Sequence, residues 1–474
     1  MAERVSRVIG LDICGMDIMA PDIDVPINEN GGVVLEVNAA PGFRMHLDPS
    51  DGFPRNVAEP VIDMLYPPGS STRIPIVAVT GTNGKTTTVR LIAHIMKNVG
   101  KKVGYTTSDG IYIQNRMLEK GDCSGPKSSE FVLRDPTVDF AVLECARGGM
   151  LRAGLGFNQC DVGIVTNVTP DHLGLQDINT VEQLARVKGI VPETVYRDGY
   201  AVLNADDPLV LKMRKQLDCR IALFSMDEKN PHIKEHCENG GIASIYENGY
   251  VTINKAGWKI RIDKVINMPL TFEGTAVFMI QNILPAALTA FLRNVKIEEL
   301  RLALQTFIPS PAQTPGRMNL FEFQNFKVLL DFAHNPAGME ALGMYLNNIE
   351  DSPKIGIIAG TGDRRDEDIV EFGEGTAKYF DEIVVRQDKH MRGRTAEEIV
   401  ELLIQGIKNI KPDMPLQVIY DEREAIEATF KRAPHGSFIC ILAETVPDGL
   451  DIVADLKEKE GKLKIRKQDI PNLN

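Results

Sequence analysis

The sequence has no excess of positive charge: 53 Lys and Arg stand against 65 Asp and Glu, a formal charge of −12 over 474 residues. Without a basic footprint, nucleic acid is not an expected partner. A local anion site stays open, because a few backbone N–H groups and one Lys suffice for one. No apolar run approaches the roughly 18 residues that span a bilayer. The best candidate, Ala276 to Leu292, is interrupted by Gln281, Asn282 and Pro285, so no membrane span is expected. Arg4 and Arg7 are followed by Asp12 and Asp17 with no apolar h-region between, which gives no signal peptide. The seven cysteines (Cys14, Cys123, Cys145, Cys160, Cys219, Cys237 and Cys440) form no C-x-x-C pair. Neither a disulfide framework nor a zinc site is expected, and a reducing cytoplasm fits. No internal repeat of fixed period is present. What the chain does have is 43% hydrophobic and 25% charged residues, an ordinary globular composition. That excludes wholesale disorder, collagen-like repeats and a coiled-coil rod. The length suggests about three domains.

Three segments separate by pattern. Residues 1–66 hold two strand-like apolar runs, Val8–Ile13 and Val33–Val37, before the Pro-Pro-Gly-Ser-Ser linker at Pro67 to Ser71. From Ile74 the order becomes strand, Gly-rich loop, helix. Ile76–Val79 has no polar alternation, as in a strand buried on both faces. Thr86 to Val99 has helical periodicity and stops at Gly100. Phe140–Leu143, Val162–Val165, Tyr200–Leu203 and Ile221–Phe224 read as further buried strands, which predicts a doubly wound sheet. Ser244–Tyr246 and Tyr250–Ile253 flank Asn248-Gly249, a hairpin signal read as a small antiparallel insertion on the sheet's far side. Helices at about 275–293 and 296–307 lead to Pro309, Pro311 and Pro315, a second boundary. The last third repeats the rhythm with strands at Lys327–Leu330, Ile355–Ala359, Ile383–Val385, Leu416–Ile419 and Phe438–Leu442. The Lys/Glu-rich tail after Leu456 is expected to fray.

The chemistry centres on Gly81-Thr82-Asn83-Gly84-Lys85-Thr86-Thr87, between a buried strand and a helix. Its glycines let successive N–H groups curl around an anion, and the helix N-terminus adds partial positive charge. Lys85 can reach the β/γ-phosphates of a nucleotide and the Thr86 hydroxyl can bind Mg²⁺, although Thr80 stands where the usual first Gly would be. Glu144 ends a strand at the carboxyl edge of the sheet, where ligands bind in open α/β folds. Asn167-Val-Thr-Pro-Asp171-His172-Leu173 puts His172 on the same edge. Thr86, Glu144 and His172 are candidate ligands for two Mg²⁺ ions.

These motifs, with Asn204-Ala-Asp206-Asp207, Pro315-Gly316-Arg317 and Asp331-Phe-Ala-His334-Asn335-Pro336, follow the order of the Mur ligases, which the chain resembles from about residue 74 onward. That family activates a carboxylate as an acyl phosphate, which an amine then attacks. The resemblance implies that Lys85 and its loop hold the phosphates, that Thr86, Glu144 and His172 hold magnesium, and that Arg317 and Asp331 reach the nucleotide from the C-terminal domain. It implies that Asn282 contacts the adenine, with Met279 in place of the usual Asn three positions earlier. It implies also that Lys188 matches a lysine that many members carbamylate; by spacing alone Lys188 is a solvated helix residue.

The segment before the loop resembles something else. Gly15-Met-Asp17-Ile-Met and Val33-Val-Leu-Glu36-Val-Asn38 resemble the final strands of an ATP-grasp domain, implying Asp17, Glu36 and Asn38 as metal ligands. Glu36 and Asn38 share a strand face by period two. An ATP-grasp end joined to Mur-type domains resembles the arrangement of the cyanophycin synthetases, as do Glu144-Cys-Ala-Arg147-Gly-Gly-Met-Leu-Arg152, Gly362-Asp-Arg-Arg-Asp-Glu-Asp-Ile369 and Arg392-Gly-Arg394. The expected fold class is therefore α/β: an ATP-grasp remnant (1–66), a Mur ligase-like central P-loop ATPase domain (67–310) and a C-terminal α/β ligase domain (311–474). The resemblance implies ATP and Mg²⁺ as cofactors, and arginine with a poly-aspartate (cyanophycin) primer as substrates, in a homo-oligomer. Aspartate addition belongs to the ATP-grasp part and is not expected from this shortened form. An arginine guanidinium calls for carboxylate partners, for which Asp363, Asp366, Glu367 and Glu444 are candidates. The alternatives are another Mur-type amide ligase, acting on folate or a peptidoglycan precursor, or a non-catalytic nucleotide- or polymer-binding subunit.

Overall fold

The structure is a computed structural model that describes residues 1–70, 72–387, 391–443 and 445–468, of which 462–468 as backbone alone. It divides into two compact units, Met1–Ile74 and Pro75–Asn474.

The first unit is small and thinly packed. Gly15–Met19 and Val33–Asn38 pair as an antiparallel ribbon, with Asp17 opposite Glu36 and Gly15 opposite Asn38. The run at Val8–Ile13, expected as a strand, is instead covered up to Ile9 by the helix Ala2–Ile9, which ends on Gly10 at φ 81°. Val5, Val8 and Ile9 lie at the i, i+3, i+4 spacing of one helix face, and that period outweighs the local β-branched content. No described residue before Val77 is buried.

The second unit carries two sheets. The larger runs, from edge to edge, through Trp258–Lys264, Tyr250–Lys255, Ile242–Glu247, Arg220–Ser225, Val195–Asn204, Cys160–Val165, Ile76–Thr80, Phe140–Glu144, Val103–Thr107, Gly110–Ile113 and Arg116–Lys120. The seven strands from Ile242–Glu247 to Val103–Thr107 are parallel, and each edge ends in an antiparallel pair. The Asn248-Gly249 hairpin is antiparallel and lies at the far edge, as expected, but it is part of the sheet itself. Ile242–Glu247 continues the parallel sheet beside Arg220–Ser225, and the hairpin turns the chain back along it. The antiparallel strands Arg116–Lys120 and Trp258–Lys264 carry mixed polar and apolar residues, and Gly110–Ile113 is only four residues long, each a weaker sequence signal than a long buried run.

Ile76–Thr80 comes first in this unit and lies between Phe140–Glu144 and Cys160–Val165. The chain builds the sheet first to one side of it and then to the other, so the carboxyl end of Ile76–Thr80 is the switch point where an α/β sheet opens a crevice. The helix Lys85–Asn98 packs on the sheet beneath the long apolar helix Val277–Leu292, and most of its residues are buried. The second sheet runs Asn319–Glu322, Phe326–Asp331, Ser437–Leu442, Lys354–Ile358, Glu382–Val385 and Leu416–Val418. All but its first strand are parallel. Past Leu456 the helix Val446–Gln468 continues, with Lys457 and Glu460 ion-paired at 2.7 Å one turn apart; the last six residues of the tail expected to fray lie outside the described residues. No described helix is long and apolar enough to cross a membrane.

Candidate active site

A cavity of about 880 Å³ opens at the switch point, lined by every residue from Gly81 to Thr87, by Glu144, His172 and Lys188, and by Asn282, Arg317 and Asp331. The sheet brings them together from distant segments. Val79 pairs with Glu144 on one side and Ile164 on the other. The loops leaving three adjacent strands therefore meet at one rim.

The phosphate-type loop is held from its neighbour. The Thr82 amide donates to the Asn167 carbonyl (2.9 Å) and the Asn83 amide to Asn167 Oδ1 (2.8 Å). Thr166 Oγ1 donates to the Asn83 carbonyl (2.6 Å). Gly81 and Gly84 have φ of 148° and 85°, which other residues rarely adopt. A Cβ on Gly81 would lie 1.8 Å from Thr166 Oγ1, and one on Gly84 2.1 Å from Asn282 Oδ1. The Lys85 ammonium donates to the Thr82 carbonyl at 2.9 Å.

Glu144 is 1% exposed, and its Oε2 accepts from Thr86 Oγ1 at 2.8 Å. The Ser108 amide is 3.3 Å from the same oxygen. Burial pushes the carboxyl up in pKa, while Lys85 and the Thr86 hydroxyl pull it down. A carboxylate removed from water with a hydroxyl beside it is a hard-oxygen donor set of the kind Mg²⁺ takes. Asp171, His172 and His334 form a second group, whose donor atoms lie within 4.8 Å of one another. The donor chemistry of both groups thus fits a divalent ion.

Lys188 does not face water. It is 4% exposed on the helix Val181–Glu193, and its ammonium donates to the Gly81 carbonyl at 2.8 Å. Burial, reinforced by Lys85, holds its pKa well below the ordinary lysine value. The helical period alone could not reveal this, because a chain 107 residues away closes over that face.

The second sheet contributes the opposite wall. Asp331 Oδ2 accepts from the Met318 amide (2.8 Å) and Oδ1 from the Ala333 amide (2.9 Å). Arg317 lies 4.2 Å over the Phe332 ring. Asn335 Nδ2 donates to Asn83 Oδ1 (3.1 Å) and to Asp171 (3.3 Å). Arg364, 6% exposed, pairs with Asp171 at 3.1 Å and lies 2.9 and 3.1 Å from the two ring nitrogens of His172. Burial lowers the His172 pKa, and Arg364 and His334 add to that, while Asp171 opposes it. Arg364 and Ser108 carried no role in the sequence reading. Ser108 follows the strand Val103–Thr107, so the carboxyl-edge rule was a usable signal for it. Arg364 had none beyond its place in Gly362-Asp-Arg-Arg.

Three acidic candidates for a guanidinium are already paired internally: Asp363 with Arg364 and Arg392, Asp366 with Arg394, and Glu367 with Arg365. None of the three lines the cavity. Glu444 lies outside the described residues. Asp17, Glu36 and Asn38 sit in the first unit, exposed, with Asn38 Nδ2 donating to Glu36 Oε1 at 3.1 Å. Asp17 faces Glu36 across the ribbon, so the three share one face.

Residues 79–290 match the Mur ligase middle domain, and residues 316–445 match the Mur ligase, glutamate ligase domain. Cyanophycin synthetase of Geminocystis herdmanii is 52% identical over 453 residues, which are 96% of this chain and 52% of that protein. The chain thus spans about half the length of the curated relatives it matches. Among solved structures, E. coli FolC in complex with DHPP and ADP has a TM-score of 0.61 at 17% identity, covering 80% of this chain and 89% of that one. A bifunctional folylpolyglutamate synthase/dihydrofolate synthase with Mn, AMPPNP and L-glutamate bound has 0.59 at 20% identity, covering 81% and 90%. With a central and a C-terminal Mur ligase domain in sequence, each on its own sheet, the chain belongs to the Mur ligase family.

Proposed function

We propose that this chain is an ATP-dependent carbon–nitrogen ligase that joins the α-amine of arginine to the β-carboxyl of aspartate in a cyanophycin backbone. The observation that carries the reading is the convergence of Lys85, the Thr86–Glu144 pair and the buried Lys188 on one cavity. About half of its residues are also identical to those of cyanophycin synthetases over 96% of its length.

A carboxylate resists an amine because it is an anion with a poor leaving group. Transfer of the γ-phosphoryl group of ATP to a carboxylate oxygen makes an acyl phosphate and releases ADP. The amine nitrogen then attacks the acyl carbon, the C–O bond to phosphate breaks, and the amine gives up a proton. Lys85, at the head of a helix, supports the charge spread over the transferring group. Gly81 to Thr87 seat the phosphates, while Asn282, Arg317 and Asp331 line the nucleotide cavity. Bound Mg²⁺ would be held by Thr86, Glu144 and His172 and would neutralise phosphate charge. Its burial favours Lys188 as a neutral amine, the form that reacts with CO₂, and a carbamate there would bring oxygen donors to the metal side of the cavity.

The middle domain is assigned to 67–310 and the C-terminal domain to 311–474. Residues 1–66 are assigned as the closing strands of an ATP-grasp fold, supported by the Asp17–Glu36 register. The test is incorporation of labelled arginine into a cyanophycin primer by the purified chain with ATP and Mg²⁺. Incorporation that requires all of these supports the reading, and none at saturating substrates refutes it.

A further inference from the structure

Three residues after Glu144, the chain enters the helix Arg147–Ala153. Arg147 is 9% exposed. Its Nη1 donates to the carbonyls of His172 (2.8 Å) and Leu175 (3.2 Å), and its Nη2 to Gln176 Oε1 (3.4 Å). Among the described residues no carboxylate ion-pairs with Arg147. A buried guanidinium is thus spent on neutral oxygens of a single loop.

That loop needs holding. His172, Gln176 and Asp177 have φ of 54°, 54° and 60°, a left-handed conformation disfavoured for residues with a Cβ. Only the Gly174 amide to the Ile178 carbonyl (2.8 Å) and the Ile178 amide to the Leu175 carbonyl (3.2 Å) tie its backbone internally. Arg147 itself stands on a fixed base. The Ala146 amide donates to the Ser124 carbonyl at 3.1 Å. Gly149 packs so closely on Gly125 that a Cβ would lie 2.8 Å from its Cα.

We propose that Arg147 is a positioning residue that ties the His172 loop to the strand end bearing Glu144, so that the imidazole and the carboxylate, which would hold metal, keep a fixed separation. The planar fork can bridge three acceptors, whereas a lysine ammonium offers one compact charge. The proposal rests on the metal role of His172 in the reading above.

Arg147→Lys and Arg147→Met, each alone and combined with His172→Ala, test it by Mn²⁺ binding in the presence of ADP. Hydrogen exchange of residues 172–177 and circular dichroism are followed in parallel. Losing a bridging charged donor should weaken Mn²⁺ binding about fivefold to tenfold in either variant and speed exchange in the loop, with the overall fold kept. In the His172→Ala background the Arg147 substitutions should change Mn²⁺ binding less than about twofold, since the two act as one unit. An equal loss in both backgrounds, or no loss in either, overturns the proposal. Should Arg147→Met fail to fold, Arg147→Lys decides alone. Wild-type chain that binds Mn²⁺ with ADP but adds no arginine would defeat the substrate assignment and leave Arg147 in place. Wild-type chain that binds no Mn²⁺ would defeat both.

Discussion

Two sets of polar residues in this chain, each proposed to serve a site, are built in opposite ways. Asp17, Glu36 and Asn38 share one face of a two-stranded ribbon and are exposed, in a unit without a buried residue among those described. Thr86, Glu144 and Lys188 are 4%, 1% and 4% exposed, and each has a bonded partner. Burying a charged group costs several kcal/mol unless it is paired. A fold that buries a carboxylate and a lysine amine at one switch point spends stability there. The ribbon leaves its residues in water and spends no desolvation energy on them.

The sharpest way to break that contrast is to remove its charges. Lys85→Ala should lower ATP-dependent turnover by about 10²–10³, as loss of a preorganised charge stabiliser does; steady-state rates of ADP release measure it, and an unchanged rate would place the reaction elsewhere. Lys188→Ala should come next, with turnover reduced at least ~30-fold, because it empties a buried position in the cavity wall rather than an exposed one. Bicarbonate should raise the wild-type rate in CO₂-depleted buffer and leave the variant unaffected. A wild-type-like rate would remove Lys188 from the mechanism.

Much of this was legible beforehand. Uninterrupted apolar runs announced the buried parallel strands, and the strand–glycine loop–helix order announced the loop that lines the cavity. The strand end at Glu144 then followed from edge geometry. The depth of Lys188 did not follow, because the Gly81 carbonyl that receives it belongs to a distant segment. Nor did the cross-sheet pairing of Arg364 with Asp171 and His172, which depends on how the two sheets meet. At Val8–Ile13 the local apolar content suggested a strand, but the i, i+3, i+4 spacing made a helix.

Smaller effects sharpen the comparison further. Gly81→Ala forces a Cβ to 1.8 Å from Thr166 Oγ1 at a φ of 148°, so ADP affinity should fall about tenfold and the melting temperature by a few degrees. Calorimetric titration and thermal melting read both, and unchanged affinity would show the loop to be pliable. Replacing Asp17, Glu36 and Asn38 together with Ala should alter arginine-dependent turnover less than about twofold, since exposed substitutions rarely perturb a fold. The same chain should not extend an arginine-capped primer with labelled aspartate. A large loss in the triple variant, or aspartate incorporation by this chain, would erase the distinction between the two regions.

The central claim rests on one assay: ADP release by the purified chain with ATP and Mg²⁺, measured with and without arginine and with and without a cyanophycin primer. The account predicts sustained release with arginine incorporation only when both are present. Release that ignores arginine, or that follows glutamate or diaminopimelate instead, would contradict it.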